Sequence, residues 1–180
     1  MSDDEKSTDA IEMLKTIQTA CAVGLQILPP TVLCQSIGAI GLRTPITVKP
    51  DTSLQECVRI LQHNRIGSLI VTDEHDKVCG IFTERDCVLK VVGKVPDLSA
   101  VAVREVMTPD PVRETPQATV AFALNLMSNG GFRHIPIVDQ DDMPIGIVSV
   151  KDIVDYFVQR MMSELFEACE LPPGLFEEGA

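Results

Sequence analysis

The stretch GIFTERD at residues 80–86 returns as GIVSVKD at residues 146–152, sixty-six positions further along the chain. Both stretches contain a glycine, two apolar residues and a hydroxyl residue, and an aspartate follows the hydroxyl residue three positions later. At the same offset, residues 45–86 align without a gap on residues 111–152, with matched prolines and aspartates. This tandem repeat indicates two copies of one structural unit.

Each copy predicts the order strand, helix, strand, strand, helix. A short extended run, at 46–48 or 112–114, precedes a helix whose apolar residues lie three or four positions apart. The helical positions are Leu54, Val58 and Leu61 and then Val120, Leu124 and Met127, with Thr52, Ser53 and Thr119 as candidate N-caps. Two apolar runs joined by an aspartate-rich turn follow, at 68–71 and 78–82 and again at 135–138 and 145–148. A second helix is predicted over residues 84–92 and 150–166.

The predicted fold class is therefore α/β (α+β), with two βαββα repeats and extra helices at both ends. Neither copy alone has enough core to be comfortably stable, so we expect the two repeats to pack on each other. The predicted boundaries are 1–39 for an N-terminal helix and lead-in, 40–95 and 96–160 for the repeats, and 161–180 for a C-terminal extension.

The two flanks of the chain carry apolar helical patterns of their own. The N-terminal pattern predicts an amphipathic helix that ends at Pro29 and Pro30, and its members are Ile11, Leu14, Ile17, Cys21, Leu25 and Leu28. The last helix has an apolar surface wider than one stripe, formed by Ile153, Val154, Phe157, Val158, Met161, Met162 and Leu165. That surface either packs against its own repeat and the N-terminal helix or forms a subunit interface.

Composition narrows the classes of function. Among 180 residues, 15 are Lys or Arg and 26 are Asp or Glu, which gives a formal charge of −11 and opposes nucleic-acid binding. The longest apolar run, at 20–28, is too short to span a membrane, and the first residues lack the basic region of a secretory signal. We therefore expect a cytoplasmic protein with no nucleic-acid or membrane partner. Six cysteines without a CxxC pair and three distant histidines predict neither disulfides nor a metal site.

The hydroxyl and the aspartate of each repeated stretch have two interpretations. A capping box would use both groups to satisfy backbone NH groups at the start of a helix, for about 1 kcal/mol. Alternatively, the carboxylate would accept hydrogen bonds from two neighbouring hydroxyls of a sugar such as ribose, near a helix N-terminus that favours an anion. The cap does not explain why the shorter aspartate is used twice or why the glycine recurs. The spacing leaves both interpretations open.

Two further motifs give the sequence a family resemblance. Together with Val106-Met107-Thr108 ahead of the second copy and RHIPIV at residues 133–138, the GhhS/TxxD endings resemble a tandem cystathionine-β-synthase (CBS) domain pair, or Bateman module. The resemblance covers about residues 40–157. It implies two domains about a pseudo-twofold axis, with two clefts for adenosine-containing ligands such as AMP, ADP, ATP or S-adenosylmethionine.

The resemblance also implies roles for individual residues. Asp86 and Asp152 would bind ribose hydroxyls, and Thr83 and Ser149 would lie at the ribose or phosphate. Arg133 and His134 would face phosphates, although such a pair at the start of a strand is otherwise a solvated edge. Segments 44–46 and 110–112 would line the adenine pocket through backbone groups. The remaining ligand-binding candidates include members of these two segments, and they are Thr44, Pro45, Ile46, Ser68, Ile81, Asp110, Val112, Val148 and Lys151.

The first copy departs from the family pattern, because Gly67 and Ser68 replace the Arg-His pair. Its only basic candidates are Arg65 and, in the TxxD and SxxD loops, Arg85 and Lys151. We therefore expect unequal clefts, of which the one with Asp86, Arg133 and His134 prefers the more phosphorylated ligand. The local charge there would be +2 with His134 protonated, inside a chain of charge −11, so binding of a triphosphate should depend on Mg²⁺ and salt.

Catalytic motifs are missing from the sequence: it has no GxSxG, no Walker loop and no glycine-rich turn that opens a helix. We therefore predict no enzyme activity and no catalytic cofactor. The preferred function is a regulatory adenosine-nucleotide sensor that acts through homodimerisation or an unknown target protein. The alternative is a ligand-free CBS scaffold that mediates protein–protein interaction.

Overall fold

A computed structural model describes residues 30–169 of the chain, with side chains over 31–164. The chain divides into two compact units, one of residues 33–153 and one that includes, among the described residues, 30–32 and 154–169. The predicted N-terminal helix lies outside the described residues. No helix within residues 30–169 combines the length and the apolar character needed to cross a bilayer.

The first repeat contains a sheet, with one helix between its first and second strands and another after its third strand. Strand β1 (Thr47–Val48) leads to helix α1 (Leu54–Asn64), and strands β2 (Ser68–Thr72) and β3 (Val78–Thr83) follow. Strand β1 pairs in parallel with β2, which pairs in antiparallel fashion with β3. A short helix α2 (Glu84–Asp86) then continues as a π-helix over Cys87–Val91.

The second repeat copies this arrangement. A 3₁₀ turn (Val103–Glu105) and strand β4 (Thr108–Pro109) lead to helix α3 (Val120–Gly130), strands β5 (His134–Val138) and β6 (Pro144–Ser149), and helix α4 (Val150–Cys169). Strands β5 and β6 are antiparallel, and Glu114 bridges Ile137 in parallel, as Val48 pairs with Val71 in the first repeat. The predicted mixed α/β fold is confirmed.

The elements differ from the predicted ones in three places. The extended runs predicted at 46–48 and 112–114 shrink to a two-residue strand and a single bridge. The helix predicted over 84–92 widens into a π-helix, in which the Val92 NH bonds the carbonyl of Cys87, five residues back. Ser53 and Thr119 are the N-caps of α1 and α3, accepting from the NH groups of Glu56 and Phe122. The Thr52 carbonyl instead accepts a hydrogen bond from Val103.

That hydrogen bond belongs to a reciprocal exchange between the repeats. We call residues 35–43 the first lead-in and the equivalent residues 101–109 the second lead-in. Val103 NH of the second lead-in donates to Thr52 O ahead of α1, and Ile37 NH of the first donates to Ala118 O ahead of α3, both at 2.8 Å. Each lead-in therefore binds the repeat to which it does not belong in sequence.

The exchange extends to the sheets. Strand β4, at the end of the second lead-in, pairs with β3 of the first repeat, and Arg43 of the first lead-in bridges Ile147 of β6. A methyl group added at Gly80 would overlap the Met107 sulfur, and one at Gly146 would lie 2.9 Å from Leu42 Cδ1. The glycine therefore recurs in both GhhS/TxxD stretches because a lead-in passes directly over it.

The core of the first repeat contains residues from both halves of the sequence. Helix α1, β2 and β3 contribute buried side chains, and Val103 and Val106 of the second lead-in complete the same cluster. A smaller cluster joins Ile70 and Val78 of the first repeat to Val138 of the second. The two repeats are therefore packed on each other, with all five β2 residues buried.

The described part of the other unit is mostly the continuation of α4. The rings of Tyr156 and Phe157 lie 6.2 Å apart, and Arg160 pairs with Glu164 one turn later. Of the apolar residues predicted to form the wide surface of this helix, Ile153 is buried, whereas Val154 and Val158 are about half exposed. The side chain of Leu165 lies outside the described residues.

The C-caps of α1 and α3 provide a test within the repeat. Exposed Arg65 (φ 51°) and Gly131 (φ 66°) occupy equivalent left-handed positions, which disfavour any residue with a Cβ. We expect Arg65→Gly to raise the free energy of unfolding by roughly 0.5–1 kcal/mol and Gly131→Ala to lower it by about 1 kcal/mol. Urea unfolding measures both. A destabilised Arg65→Gly variant would contradict the expectation. At Gly131 the added Cβ would meet no atom within 4 Å apart from its chain neighbours, so a loss of stability there reports the backbone conformation and not a clash.

Candidate functional site

The first candidate site surrounds Asp86, at the junction of β3 and α2. Asp86 Oδ2 accepts hydrogen bonds from the Thr83 hydroxyl at 2.7 Å and the Thr83 NH at 3.0 Å, and the Asp86 NH donates to Thr83 Oγ1 at 3.2 Å. Asp86 Oδ1 instead faces Lys90 Nζ at 2.7 Å and the Thr108 hydroxyl at 3.5 Å. We call these four residues the Asp86 site.

The second candidate site has the same local geometry at the junction of β6 and α4. Asp152 Oδ2 accepts from the Ser149 hydroxyl at 2.6 Å and the Ser149 NH at 2.7 Å, and the Asp152 NH donates to Ser149 Oγ at 3.2 Å. Asp152 Oδ1 pairs with Arg43 Nε at 2.7 Å. Arg43, Ser149 and Asp152 form the Asp152 site.

Both aspartates therefore close a capping box, because each carboxylate reaches back to the NH of its hydroxyl residue. The box uses only Oδ2 of each carboxylate, so capping and ligand binding do not compete for the same oxygen. The Asp86 and Asp152 side chains are 11% and 10% exposed, and Oδ1 of each points toward groups from other elements. The cap fixes each carboxylate in orientation and leaves its second oxygen for a cation or a ligand.

The cations at the two carboxylates were absent from the sequence prediction. Lys90 lies four residues after Asp86 and also donates to the Val106 carbonyl at 2.8 Å, so an i,i+4 pairing rule could have identified it. Arg43 reaches Asp152 from the first lead-in, more than one hundred residues away in sequence. No local pattern marks Arg43, because its position depends on the exchange of lead-ins.

The predicted basic candidates lie elsewhere. Arg65 forms the exposed C-cap of α1, and Arg85 donates to the Gly131 carbonyl at the end of α3, at 2.6 Å. Lys151 lies exposed in the first turn of α4. Arg133 is exposed, and its carbonyl accepts a hydrogen bond from the Val150 NH, as the Gly67 carbonyl does from Glu84.

The side chain of His134, in the second repeat, contacts the first repeat at Gly67, which stands there in place of an arginine. Its imidazole lies against Gly67, since a Cβ added there would be 3.1 Å from His134 Nε2 and 3.4 Å from Glu84 Oε2. Burial, with help from the Arg133 charge, lowers the pKa of His134 below its ordinary value of 6.5, although Asp152 and Glu84 act in the opposite direction. The imidazole is therefore uncharged at neutral pH, and the local charge of +2 expected with His134 protonated does not apply there.

The remaining ligand-binding candidates divide by depth. Ser68 is buried beside Thr83 in the β2–β3 register, and the side chains of Ile81 and Val148 are also buried. The exposed candidates include Thr44 and Val112. The binding roles of these residues stay predictions.

The segments predicted to line the adenine pocket follow the two lead-ins. Pro45 and Ile46 are half-buried, and the Ile46 carbonyl accepts from the Ile70 NH at 3.1 Å. Asp110 has a left-handed backbone (φ 42°), donates its NH to the Cys79 carbonyl and pairs its carboxylate with Arg113. Because of the exchange, segment 110–112 lies beside the sheet that ends at Asp86, and segment 44–46 follows the residue that pairs with Asp152.

Cysteines and histidines form no metal centre in the part of the chain that the structure describes, where no three His, Cys, Asp or Glu side chains converge. Cys34, Cys57, Cys79 and Cys87 are free thiols. Burial raises the pKa of Cys57 to about 11, which keeps this thiol in its unreactive neutral form.

Two βαββα units with exchanged lead-ins and matched carboxylate sites define a tandem pair of α/β domains. The model of the CBS domain family matches residues 37–93 and 103–159, and the chain belongs to this family. An uncharacterized protein of Methanopyrus kandleri is 36% identical over 135 residues, which are 72% of this chain and 68% of that protein.

Solved structures show the same fold. A CBS-domain protein from Agrobacterium tumefaciens has a TM-score of 0.61 and 33% identity, over 67% of this chain and 98% of that one. A CBS domain pair in complex with 5′-methylthioadenosine and S-adenosyl-L-methionine has a TM-score of 0.63 and 26% identity, over 71% of this chain and 98% of that one.

The lowered pKa of His134 predicts how stability depends on pH. The unfolded chain takes up this proton near pH 6.5 and the folded chain only at lower pH, so stability present above 6.5 is lost as pH falls. We expect His134→Gln to flatten the loss of urea midpoint between about pH 7.5 and pH 5. Exposed His63→Gln is the control. Equal slopes for the parent and the His134→Gln variant would contradict the prediction.

Proposed function

We propose that this chain is a regulatory module that binds an adenosine-containing ligand at the Asp86 and Asp152 sites. The observation that carries the proposal is the division of labour within each carboxylate, where Oδ2 is fixed by the turn and Oδ1 faces groups of other elements. The similar CBS domain pair that binds 5′-methylthioadenosine and S-adenosyl-L-methionine supports the ligand class.

The chemistry of the site suits a sugar with two adjacent hydroxyls. A fixed carboxylate accepts hydrogen bonds from ribose hydroxyls, each for roughly 1.5–3 kcal/mol when the acceptor is charged. The ligand would have to share or displace the present partner of Oδ1, which is Lys90 or Arg43. These cations are 40% and 56% exposed, so moving them into water costs little.

Regulation would work through the lead-ins. Thr108 of the second lead-in contacts Asp86, and Arg43 of the first contacts Asp152, so a ligand at either site alters a contact of a lead-in. A ligand shifts the conformation only as far as its affinity differs between the two states. The output would be a change in homodimer assembly or in contact with a target protein of the cytoplasm. For a triphosphate, Mg²⁺ would offset part of the charge of −11.

A ligand-free scaffold is the second candidate. It is favoured by the fact that both Oδ1 atoms already have partners, so neither carboxylate requires a ligand to be satisfied. Thermal unfolding with millimolar AMP, ATP and S-adenosylmethionine separates the two functions. Ligand at one hundred times its dissociation constant stabilises a binding protein by about 2.7 kcal/mol, whereas a scaffold unfolds at the same temperature with or without ligand.

Variants at the two aspartates test the proposed sites individually. We expect Asp86→Ala and Asp152→Ala each to abolish binding at its own site in calorimetric titrations, because the hydroxyl acceptor is lost. Each variant should lose no more than about 1–2 kcal/mol of stability, since it loses one cap. The two variants serve as controls for each other, because the unchanged site should keep its affinity. If both bind every adenosine ligand as the parent does, the carboxylates are caps alone.

We also propose that the chain forms a homodimer. Val88, Leu89 and Val92 are 66%, 55% and 68% exposed in and after the π-helix, which is unusual for apolar side chains so close together. We expect light scattering at tens of micromolar protein to give twice the mass of 19.6 kDa. A Val88→Glu variant should shift the mass toward the monomer, whereas a monomeric parent would contradict the proposal.

A further inference from the structure

We infer that Arg43 makes the Asp152 site selective for adenosine ligands that carry an anionic 5′ group. The inference rests on the proposed function and deepens it, because it names the class of ligand for one of the two sites. It concerns a residue that the sequence prediction did not select and that contacts the ribose-binding carboxylate directly.

The backbone of Arg43 is tied to the second repeat, and its side chain is more than half exposed. The Ile147 NH donates to the Arg43 carbonyl at 3.2 Å, which ties the first lead-in to β6. Leu42, the preceding residue, lies over Gly146. The Arg43 side chain is nevertheless 56% exposed, whereas the Asp152 side chain that it meets is 10% exposed. The exposed guanidinium therefore lies beside a buried carboxylate.

Only part of the guanidinium is in use. Arg43 Nε pairs with Asp152 Oδ1 at 2.7 Å, and within residues 31–164 its two terminal nitrogens make no further hydrogen bond. A guanidinium has five NH donors in a planar fork that matches two oxygens of a phosphate. Arg43 can thus bind a phosphate through its terminal nitrogens, beside the ribose held by Asp152.

The Asp86 site lacks this arrangement. Its cation, Lys90, bonds both Asp86 Oδ1 and the Val106 carbonyl, so its ammonium group is held on two sides. The residue equivalent to Arg43 in the second lead-in is Pro109, which carries no charge, and Tyr156 stands at the position equivalent to Lys90. The exposed, partly unused cation is therefore a property of the Asp152 site and not of the fold.

The charge of the ligand decides what the ion pair contributes. When the ribose hydroxyls of a ligand bind Asp152 Oδ1, Arg43 loses its ion pair with that oxygen. A phosphate on the ligand can pair with Arg43 instead, so one ion pair replaces another. A neutral nucleoside displaces Arg43 from Oδ1 and offers no anion in return. A sulfonium ligand places a positive charge next to the guanidinium, which is repulsive. The affinity of the site should therefore fall from the phosphate-bearing ligand to the neutral nucleoside and then to the sulfonium ligand.

The experiment measures the Asp152 site alone. In full-length Asp86→Ala protein, AMP, adenosine and S-adenosylmethionine are titrated by calorimetry before and after Arg43→Gln. We expect Arg43→Gln to weaken the affinity for AMP by about tenfold or more, because one charge-assisted fork is lost. The affinity for adenosine should change by less than about threefold. S-adenosylmethionine should bind equally or more tightly. Arg59→Gln, an exposed residue paired with Glu56 on α1, is the charge-matched control and should change none of the three.

A second variant separates charge from shape. Arg43→Lys keeps the charge but loses the fork, so its AMP affinity should lie between those of the parent and of Arg43→Gln. Raising the salt concentration should weaken AMP binding more in the parent protein than in the Arg43→Gln variant, because salt screens the ion pair between Arg43 and the phosphate. Urea unfolding confirms that each variant is folded.

The outcomes that overturn the inference are distinct. If Arg43→Gln lowers the affinities for AMP and adenosine equally, Arg43 only positions Asp152. If it raises both affinities equally, Arg43 only blocks Asp152 until a ligand displaces it. If the parent binds a ligand and Asp86→Ala protein does not, the Asp152 site binds none. The inference would then be wrong, while the proposed function would still hold at Asp86. A parent that binds no adenosine ligand would overturn the proposed function and this inference with it.

Discussion

The carbonyl groups of Thr52 and Ala118, just ahead of α1 and α3, each accept a hydrogen bond from the lead-in of the other repeat. This reciprocal contact places Val103 and Val106 in the core of the first repeat and gives β3 its outer neighbour. It also requires the two glycines over which Met107 and Leu42 pass. The exchange thus fixes the relation of the repeats before any functional group is considered.

Each candidate site depends on that exchange. The capping box alone would build two identical carboxylate turns, because Thr83 with Asp86 and Ser149 with Asp152 have the same local geometry. The groups around Oδ1 come partly from the lead-ins, and there the repeats differ in sequence. Lys90 and Thr108 surround one carboxylate, and Arg43 meets the other. The capping turn therefore makes the sites alike, whereas the local Lys90 and the lead-in residues Thr108 and Arg43 make them unlike.

Much of the fold could be predicted from local patterns. The four long strands begin and end close to the predicted runs, and Ser53 and Thr119 cap the helices, because periodicity and capping act over a few residues. The pairing of Thr83 with Asp86 and of Ser149 with Asp152 depends on the same short spacing. The π-helix, the role of the glycines and the cation at Asp152 were missed. The role of the glycines and the cation at Asp152 depend on segments distant in sequence, and the pattern of a single sequence does not indicate which distant segments meet.

Strand β3 illustrates what the exchange means for a repeat on its own. Its outer neighbour, β4, belongs in sequence to the second half of the chain. A fragment that carries the first half alone would present a bare sheet edge, and such edges recruit strands from other molecules. Separated halves would thus be prone to domain swapping, in which each borrows the missing segment from a neighbour. The duplicated unit is complete only as a pair.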